Sequence, residues 1–188
     1  MSAELPLFNT NRLLVRPWRE SDKADFWRMN AKPEVTRHLL PVSDKAGSDA
    51  CADSIIQHFS DYGFGLWVVE LPGICPFIGF TGLRHVPYQA PFIPAVEVAW
   101  RFDPAFWGKG YATEAARACL QFGFNTLKLS EIVAITRPDN VRSRAVMTRL
   151  GMTHKQADDF EMPLPPEQAH MCMHVLYRTG PDITDLKN

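Results

Sequence analysis

Residues 96–115 of this 188-residue chain read VEVAWRFDPAFWGKGYATEA and hold a strand, a glycine loop and a helix start in succession. Apolar and polar residues alternate from Ala95 to Phe102, which predicts a half-buried strand that stops at Asp103-Pro104. The helix predicted from Gly110 to Lys128 has one apolar stripe. Backbone N–H groups that converge before a helix can bind a diphosphate, although a lone glycine-x-glycine there is more often a structural turn.

The remaining patterns predict one mixed domain over residues 1–188, with its core at about residues 10–178. Strands are predicted at Arg12 to Trp18, Leu66 to Leu71, Phe77 to Leu83, Glu131 to Thr136, Thr153 to Ala157 and Ala169 to Tyr177. Further helices are predicted from Ser21-Asp22, from Ser48 to Tyr62, and from Pro138-Asp139 to Leu150. This order indicates an α+β fold: a mixed, mostly antiparallel central sheet of about seven strands covered by about four helices.

Composition excludes several classes of protein. The chain is 46% hydrophobic and balances 20 Lys and Arg against 21 Asp and Glu, so it is neither mostly disordered nor a protein that coats nucleic acid. No apolar run approaches the roughly 18 residues of a membrane span, and no basic region followed by an apolar run opens the chain. The four cysteines are far apart and share no paired spacing. We therefore expect a cytoplasmic protein with no membrane and no nucleic-acid partner.

Several segments resemble a known family, in order along the chain. They are Arg12-Leu13-Leu14-Val15-Arg16-Pro17, Ile78-Gly79-Phe80-Thr81-Gly82-Leu83, Val96-Glu97-Val98-Ala99-Trp100, the loop Trp107-Gly108-Lys109-Gly110-Tyr111-Ala112-Thr113-Glu114-Ala115, and Asn140-Val141-Arg142-Ser143 followed by Leu150-Gly151-Met152. On these segments the chain resembles the GNAT superfamily of acyl-CoA-dependent N-acetyltransferases. Within that superfamily it is most similar to the RimJ/RimL branch of ribosomal-protein N-terminal acetyltransferases.

The resemblance implies a GNAT fold, with a V-shaped split between the strand that ends at Phe102 and the strand that starts at Glu131. Acetyl-CoA is the implied co-substrate, without a metal, and its pantetheine would pair with the open strand. The implied cofactor-binding residues are Trp100, Phe102, Trp107, Gly108, Lys109, Gly110, Tyr111, Ala112, Asn140 and Ser143. The acceptor is a primary amine, on either a protein N-terminus or a small molecule.

The net charge of −1 averages two unequal segments. Residues 101–155 contain nine basic and four acidic side chains, whereas the rest of the chain contains eleven basic and seventeen acidic ones. The basic segment suits an anionic cofactor, and the acidic remainder leads us to expect a cationic amine as acceptor.

Transfer to an amine needs a proton acceptor, because alkylamines are protonated at pH 7. Glu97 is the predicted base, acting directly or through one water, since it lies opposite the apolar face of its strand. The alternative is that Glu97 is a solvated or ion-paired strand residue, with Arg101 as the candidate partner. Asp159 and Glu161 are weaker candidates for the base.

Two candidates could donate a proton to the leaving thiolate. Many members of the superfamily carry a tyrosine seven residues after the asparagine, where this chain has Met147, which cannot donate a proton. The role would then pass to Ser143 or to water. The same departure supports an alternative function, a catalytically weak acyl-CoA-binding or regulatory module. A homodimer is compatible with the sequence, although no pattern specifies one.

One grouping of side chains resembles a metal site. His170, Cys172 and His174 alternate on the last predicted strand and could share one face. We interpret them as the polar side of a half-covered strand, and we expect no metal.

Overall fold

The computed structural model describes residues 5–39, 44–162, 164 and 172–182, and these contain nine strands and five α-helices. The strands are β1 (Phe8–Asn9), β2 (Leu14–Arg16), β3 (Leu66–Leu71), β4 (Cys75–His85), β5 (Val96–Phe102), β6 (Ile132–Thr136), β7 (Thr153–His154), β8 (Phe160–Glu161) and β9 (Met173–Thr179). The helices are α1 (Asp22–Asn30), α2 (Pro33–Thr36), α3 (Lys45–Tyr62), α4 (Tyr111–Asn125) and α5 (Val141–Arg149). Within this part of the chain, no helix is long and apolar enough to cross a membrane.

The strands form one sheet in the order β1-β2-β3-β4-β5-β6-β9-β7, with β8 also paired to β9. Every neighbouring pair is antiparallel except β5 and β6. Helix α1 packs on one face, where the rings of Phe26 and Phe80 lie 5.7 Å apart. Helix α4 packs on the other face, so closely that a Cβ on Gly123 would meet Ile132 at 2.6 Å and Leu83 at 2.8 Å. The predicted α+β class with a mostly antiparallel sheet is confirmed.

Two helix ends differ from prediction. Helix α4 stops at Asn125 and not at Lys128, because Lys128 has a left-handed backbone (φ 58°) that ends the helical path. Helix α5 begins at Val141 and not at Pro138-Asp139, because the Asn140 side chain caps it by accepting a hydrogen bond from the Ser143 N–H at 3.2 Å.

The strand bounds also differ from prediction. The strand predicted from Arg12 to Trp18 pairs only in β2, and the one predicted from Thr153 to Ala157 gives way to a 3₁₀ turn after β7. The start of the strand predicted from Ala169 to Tyr177 lies outside the described residues, and β9 continues to Thr179. Strands β1, β7 and β8 have two residues each, which is too short for an alternating pattern to show.

A buried ion pair joins the first helix to the sheet. Arg16, at the end of β2, donates from both terminal nitrogens to the Asp22 carboxylate (2.8 and 2.9 Å) and from Nε to Glu70 (2.7 Å). Its remaining bonds go to the carbonyls of Pro17 and Pro76, at 3.0 and 2.8 Å. All five N–H donors of the guanidinium are thus used, which allows the charge to be 3% exposed.

Removal of the Asp22 carboxylate should destabilise the fold strongly. We expect Asp22→Ala to lower the free energy of unfolding by about 3–5 kcal/mol, because it leaves two donors of the buried Arg16 guanidinium without an acceptor and Glu70 as its remaining carboxylate. Urea unfolding measures the loss. Asp53→Ala is the matched control, since Asp53 pairs with Lys23 at the surface and is 60% exposed, and it should cost at most about 1 kcal/mol. Equal losses in the two variants would contradict the assignment.

Candidate active site

The sheet divides between β5 and β6. These parallel strands share one register pair, Glu97 with Val133, whereas β5 pairs with β4 from Val96 to Phe102. Beyond Glu97 the edge of β5 that faces β6 therefore has no strand partner in the described part of the chain. An extended ligand can add to such an edge through main-chain hydrogen bonds. The split lies where the family resemblance implies it.

A braced loop leads from the end of β5 to α4. Asp103 accepts hydrogen bonds from the Ala105 N–H at 3.0 Å and from Lys32 Nζ at 2.6 Å, and the Trp107 indole donates to the Phe102 carbonyl at 2.7 Å. Burial acts to raise the pKa of Asp103, but the bonds from Lys32 and Ala105 outweigh it and the pKa lies below its ordinary value. The loop therefore holds a fixed, ionised carboxylate at its base.

Two glycines bring the backbone into α4 without side chains in the way. Gly108 (φ 76°) and Gly110 (φ 82°) are left-handed, a conformation that costs other residues about 1–2 kcal/mol. A Cβ on Gly108 would meet no atom within 4 Å, so the space beside it is open. Gly110 is the N-cap of α4, and no side chain caps the first N–H groups of that helix. These groups and the helix dipole suit an anion.

The loop is held from the distant N-terminal segment. Arg12 donates to the Glu114 carboxylate (2.7 Å) and to the Lys109 carbonyl (3.0 Å), and its guanidinium lies 4.6 Å from the centroid of the Tyr111 ring. Thr10 donates to the same carboxylate at 2.7 Å. Sequence reasoning missed this contact, because the partner of Glu114 is 102 residues away.

Positive charge also approaches the loop from α5. The Arg142 guanidinium lies 4.5 Å from the centroid of the Trp107 ring, so it links α5 to the loop. Lys109 donates to the Ala105 carbonyl at 3.1 Å. Arg144 is turned elsewhere, toward the Tyr177 hydroxyl at 3.2 Å. Arg142 and Lys109, together with Arg12, which is paired with Glu114, are therefore cations beside the open backbone of the loop.

Asn140 and Ser143 lie at the start of α5, on the β6 side of the split. The Asn140 amide donates to the Thr136 hydroxyl at 2.9 Å while its oxygen accepts from the Ser143 N–H at 3.2 Å, so this side chain ties α5 to β6. The Ser143 hydroxyl is half-buried and makes no hydrogen bond to another described residue. Met147, one turn on, is 2% exposed and packs in the core.

Glu97 lies at the point where β5 and β6 separate. Its side chain is 6% exposed and accepts a hydrogen bond from Arg84 Nε at 2.5 Å. The ion pair that the alternative interpretation proposed is thus present, but its partner is Arg84 and not Arg101. The reason is register: Arg84 of β4 lies directly opposite Glu97, whereas Arg101 lies opposite Phe80.

Tyr88 is a neighbour of Glu97 that sequence reasoning missed. It belongs to the connection between β4 and β5, where the sequence is rich in proline and shows no periodic pattern. Burial raises the pKa of Tyr88, and the negative charge of Glu97 raises it further. A protonated phenol therefore lies near the carboxylate.

The two weaker candidates for the base are paired or exposed. Asp159 is paired with His154 at 2.7 Å, and Glu161 is exposed on β8. His170 lies outside the described residues, so the grouping with Cys172 and His174 is not defined. In the ranges that the structure describes, no three His, Cys, Asp or Glu side chains are grouped to hold a metal ion.

Comparison with known proteins identifies the family. The family model described as an acetyltransferase (GNAT) domain matches residues 12–153. The YkkB protein of Bacillus subtilis (strain 168) is 30% identical over 78% of this chain and 85% of its own length. The FsC-acetyl coenzyme A-N(2)-transacetylase of Aspergillus fumigatus is 29% identical over 86% of this chain and 71% of its own.

Solved structures share the fold. An acetyltransferase from Agrobacterium tumefaciens str. C58 superimposes with a TM-score of 0.75 and 24% identity, covering 95% of this chain and 96% of that one. A ribosomal-protein-S5-alanine acetyltransferase from Vibrio fischeri superimposes with a TM-score of 0.74 and 19% identity, covering 97% and 100%. With the split sheet, the open loop before α4 and the match over residues 12–153, the chain belongs to the GNAT acetyltransferase family and is an acetyl-CoA-dependent N-acetyltransferase.

Proposed function

We propose that the chain moves the acetyl group of acetyl-CoA onto a primary amine by direct attack in a ternary complex. The observation that carries this proposal is the single register pair between β5 and β6, which leaves an open strand edge beside the uncapped start of α4. The backbone N–H groups of Gly108 to Ala112 would hold the diphosphate, assisted by Lys109 and Arg142. Trp100 to Phe102 would pair with the pantetheine as an added strand.

The residues present fit this co-substrate. The space beside Gly108 is open, the first N–H groups of α4 have no side-chain cap, and the nearby charges on Lys109 and Arg142 have the sign that a diphosphate requires. Acetyl-CoA supplies an activated acyl group as a thioester. A backbone N–H on the open edge of β5 is the group that would stabilise charge on the thioester oxygen.

Glu97 is the proposed base. Its carboxylate would take a proton from the ammonium group, directly or through one water, and the freed amine would attack the thioester carbonyl carbon. The carbon–sulfur bond then breaks, and the thiolate takes a proton from the Ser143 hydroxyl or from water. The nitrogen loses its second proton on forming the amide, so each turnover releases one proton to solvent. Arg84 would hold the carboxylate in place between turnovers.

The acceptor is proposed as a protein N-terminus or a small-molecule amine. The motifs that resemble the RimJ/RimL branch, together with the Vibrio fischeri structure, support the first class. The name of the Aspergillus relative, an N(2)-transacetylase, supports the second. We also propose membership of the RimJ/RimL-like branch on these motifs.

A catalytically weak acyl-CoA-binding module is the second candidate, and burial of Met147 favours it. That position offers the thiolate no proton donor, since its thioether lies in the core. A panel of primary amines separates the two candidates: the enzyme releases CoA thiol with at least one amine, whereas the module binds CoA and releases none.

A methyl group on Gly110 should weaken CoA binding. In Gly110→Ala the left-handed backbone at φ 82° is strained and the N–H groups before α4 are displaced, so we expect the Kd for CoA to rise by about tenfold. Titration calorimetry measures it. The matched control is Gly63→Ala, which strains a similar backbone (φ 73°) at the end of α3, where the added Cβ meets no atom within 4 Å. Equal CoA affinity in Gly110→Ala and wild type would contradict the diphosphate assignment.

Glu97→Gln should slow transfer without affecting CoA binding. We expect kcat to fall by about 10²–10⁴, the range typical of a lost general base, while the amide still accepts the Arg84 hydrogen bond. The rate of the variant should rise as the pH approaches the alkylamine pKa of about 10.4, because solvent then supplies the free amine. Glu131→Gln is the control, since Glu131 is also paired with an arginine, Arg178. Unchanged turnover in Glu97→Gln would exclude Glu97 as the base.

A further inference from the structure

Arg101 carries a positive charge that no described carboxylate neutralises. It is half-buried on β5, donates from one terminal nitrogen to the Asn30 side-chain oxygen at 2.6 Å, and lies 5.3 Å from the centroid of the Phe80 ring. Burial, together with the like charge of Arg84, lowers the pKa of Arg101 to about 10. A guanidinium has five N–H donors, and the described residues supply an acceptor for one of them.

Asn30 adds a second unfilled donor. It is the last residue of α1 and is 5% exposed, and its side-chain nitrogen is buried with no hydrogen-bond partner. A buried donor without an acceptor costs about 1–3 kcal/mol. Arg101 and Asn30 therefore place several unused N–H donors next to β5. The oxygen atoms of a ligand could accept hydrogen bonds from these donors.

The same face of the sheet connects this group to Glu97. Glu97, Ala99 and Arg101 alternate onto one face of β5, opposite Arg84, Gly82 and Phe80 of β4. The middle pair, Ala99 with Gly82, carries nothing larger than a methyl group, so it forms the floor between two polar ends. The Cα atoms of Glu97 and Arg101 lie about 13 Å apart at the usual rise of a strand.

The charge on this face argues against a polycation. Arg84 and Arg101 carry two positive charges against the one negative charge of Glu97. The expectation from the sequence, that an acidic remainder favours a cationic amine, therefore does not hold locally. A molecule with an ammonium group at one end and a carboxylate at the other complements the two ends of the face.

We propose that Arg101, together with Asn30, binds a carboxylate of the acceptor, and that the substrates are small amino-carboxylates rather than polyamines. This inference rests on the proposed function, because Glu97 marks where the amine reacts. Arg101 is thereby a specificity-determining residue that contacts the end of the acceptor remote from the reacting nitrogen.

The test compares acceptors that differ only in the carboxylate. We would measure kcat/KM by thiol release for 6-aminohexanoate, for its neutral isostere 6-aminohexanamide, and for spermidine, with 4-aminobutanoate and 5-aminopentanoate to vary the length. Wild type should prefer the best acid over the amide by about 10–100-fold, the range of a charge-assisted hydrogen bond. Arg101→Gln should lose this preference through KM, with kcat/KM on the amide within a few fold of wild type. Arg101→Lys should retain part of it.

Arg19→Gln is the matched control, because Arg19 is 57% exposed and pairs with Glu70 of β3, and it should keep the full preference. Equal kcat/KM for acid and amide in wild type, or an unchanged preference in Arg101→Gln, would overturn the inference. If no amine is acetylated, the proposed function fails. The carboxylate site is then still decided by calorimetric titration of 6-aminohexanoate into the CoA-saturated protein: binding lost in Arg101→Gln supports it, and no binding to wild type rejects it.

Discussion

The contact between β5 and β6 at Glu97 and Val133 is the constraint on which the rest of the site depends. Strand β5 is fixed to β4 along its whole length, and β6 is fixed to β9 from Ile132 to Thr136, so each strand follows the twist of its own half of the sheet. After one shared pair they separate. The separation exposes the main chain of β5, directs Glu97 to the point of divergence, and places the start of α4 beside the opening.

The two sides of the opening differ in charge and in construction. The loop before α4 presents main-chain N–H groups, with Lys109 and Arg142 nearby, and is braced by Arg12 through Glu114. The other side of the opening is the face of β5 that carries Glu97 and Arg101. Arg84 neutralises Glu97, whereas no described carboxylate neutralises Arg101. The loop is therefore suited to an anion, with little dependence on the shape of that anion. The face of β5 is suited to a ligand that has one charged group opposite Glu97 and another opposite Arg101.

Much of the fold could be predicted from local pattern. Residues Leu66–Leu71, which are apolar except for Glu70, gave a strand with the same ends in the structure, and the apolar stripe before Asn125 gave α4, because both patterns record which residues are buried. The ends of α4 and α5 could not be predicted, since they depend on the backbone angle of Lys128 and on the cap made by Asn140. Two-residue strands such as β1 exist only through pairing with a neighbour.

The candidate site likewise has parts that could be predicted from local sequence and parts that could not. The motif around Gly108 and Gly110 is contiguous, so its glycines and the following helix could be read from residues 96–115, and the family resemblance from this and the other matching segments. The partners of Glu97, Arg101 and Glu114 could not, because they come from other strands and helices: Arg84 from β4, Asn30 from α1 and Arg12 from the segment before β2. Local sequence specifies backbone conformation and the periodicity of burial, which act over a few residues. Strand register and helix docking specify which charges meet, and these are set only when the whole sheet has formed.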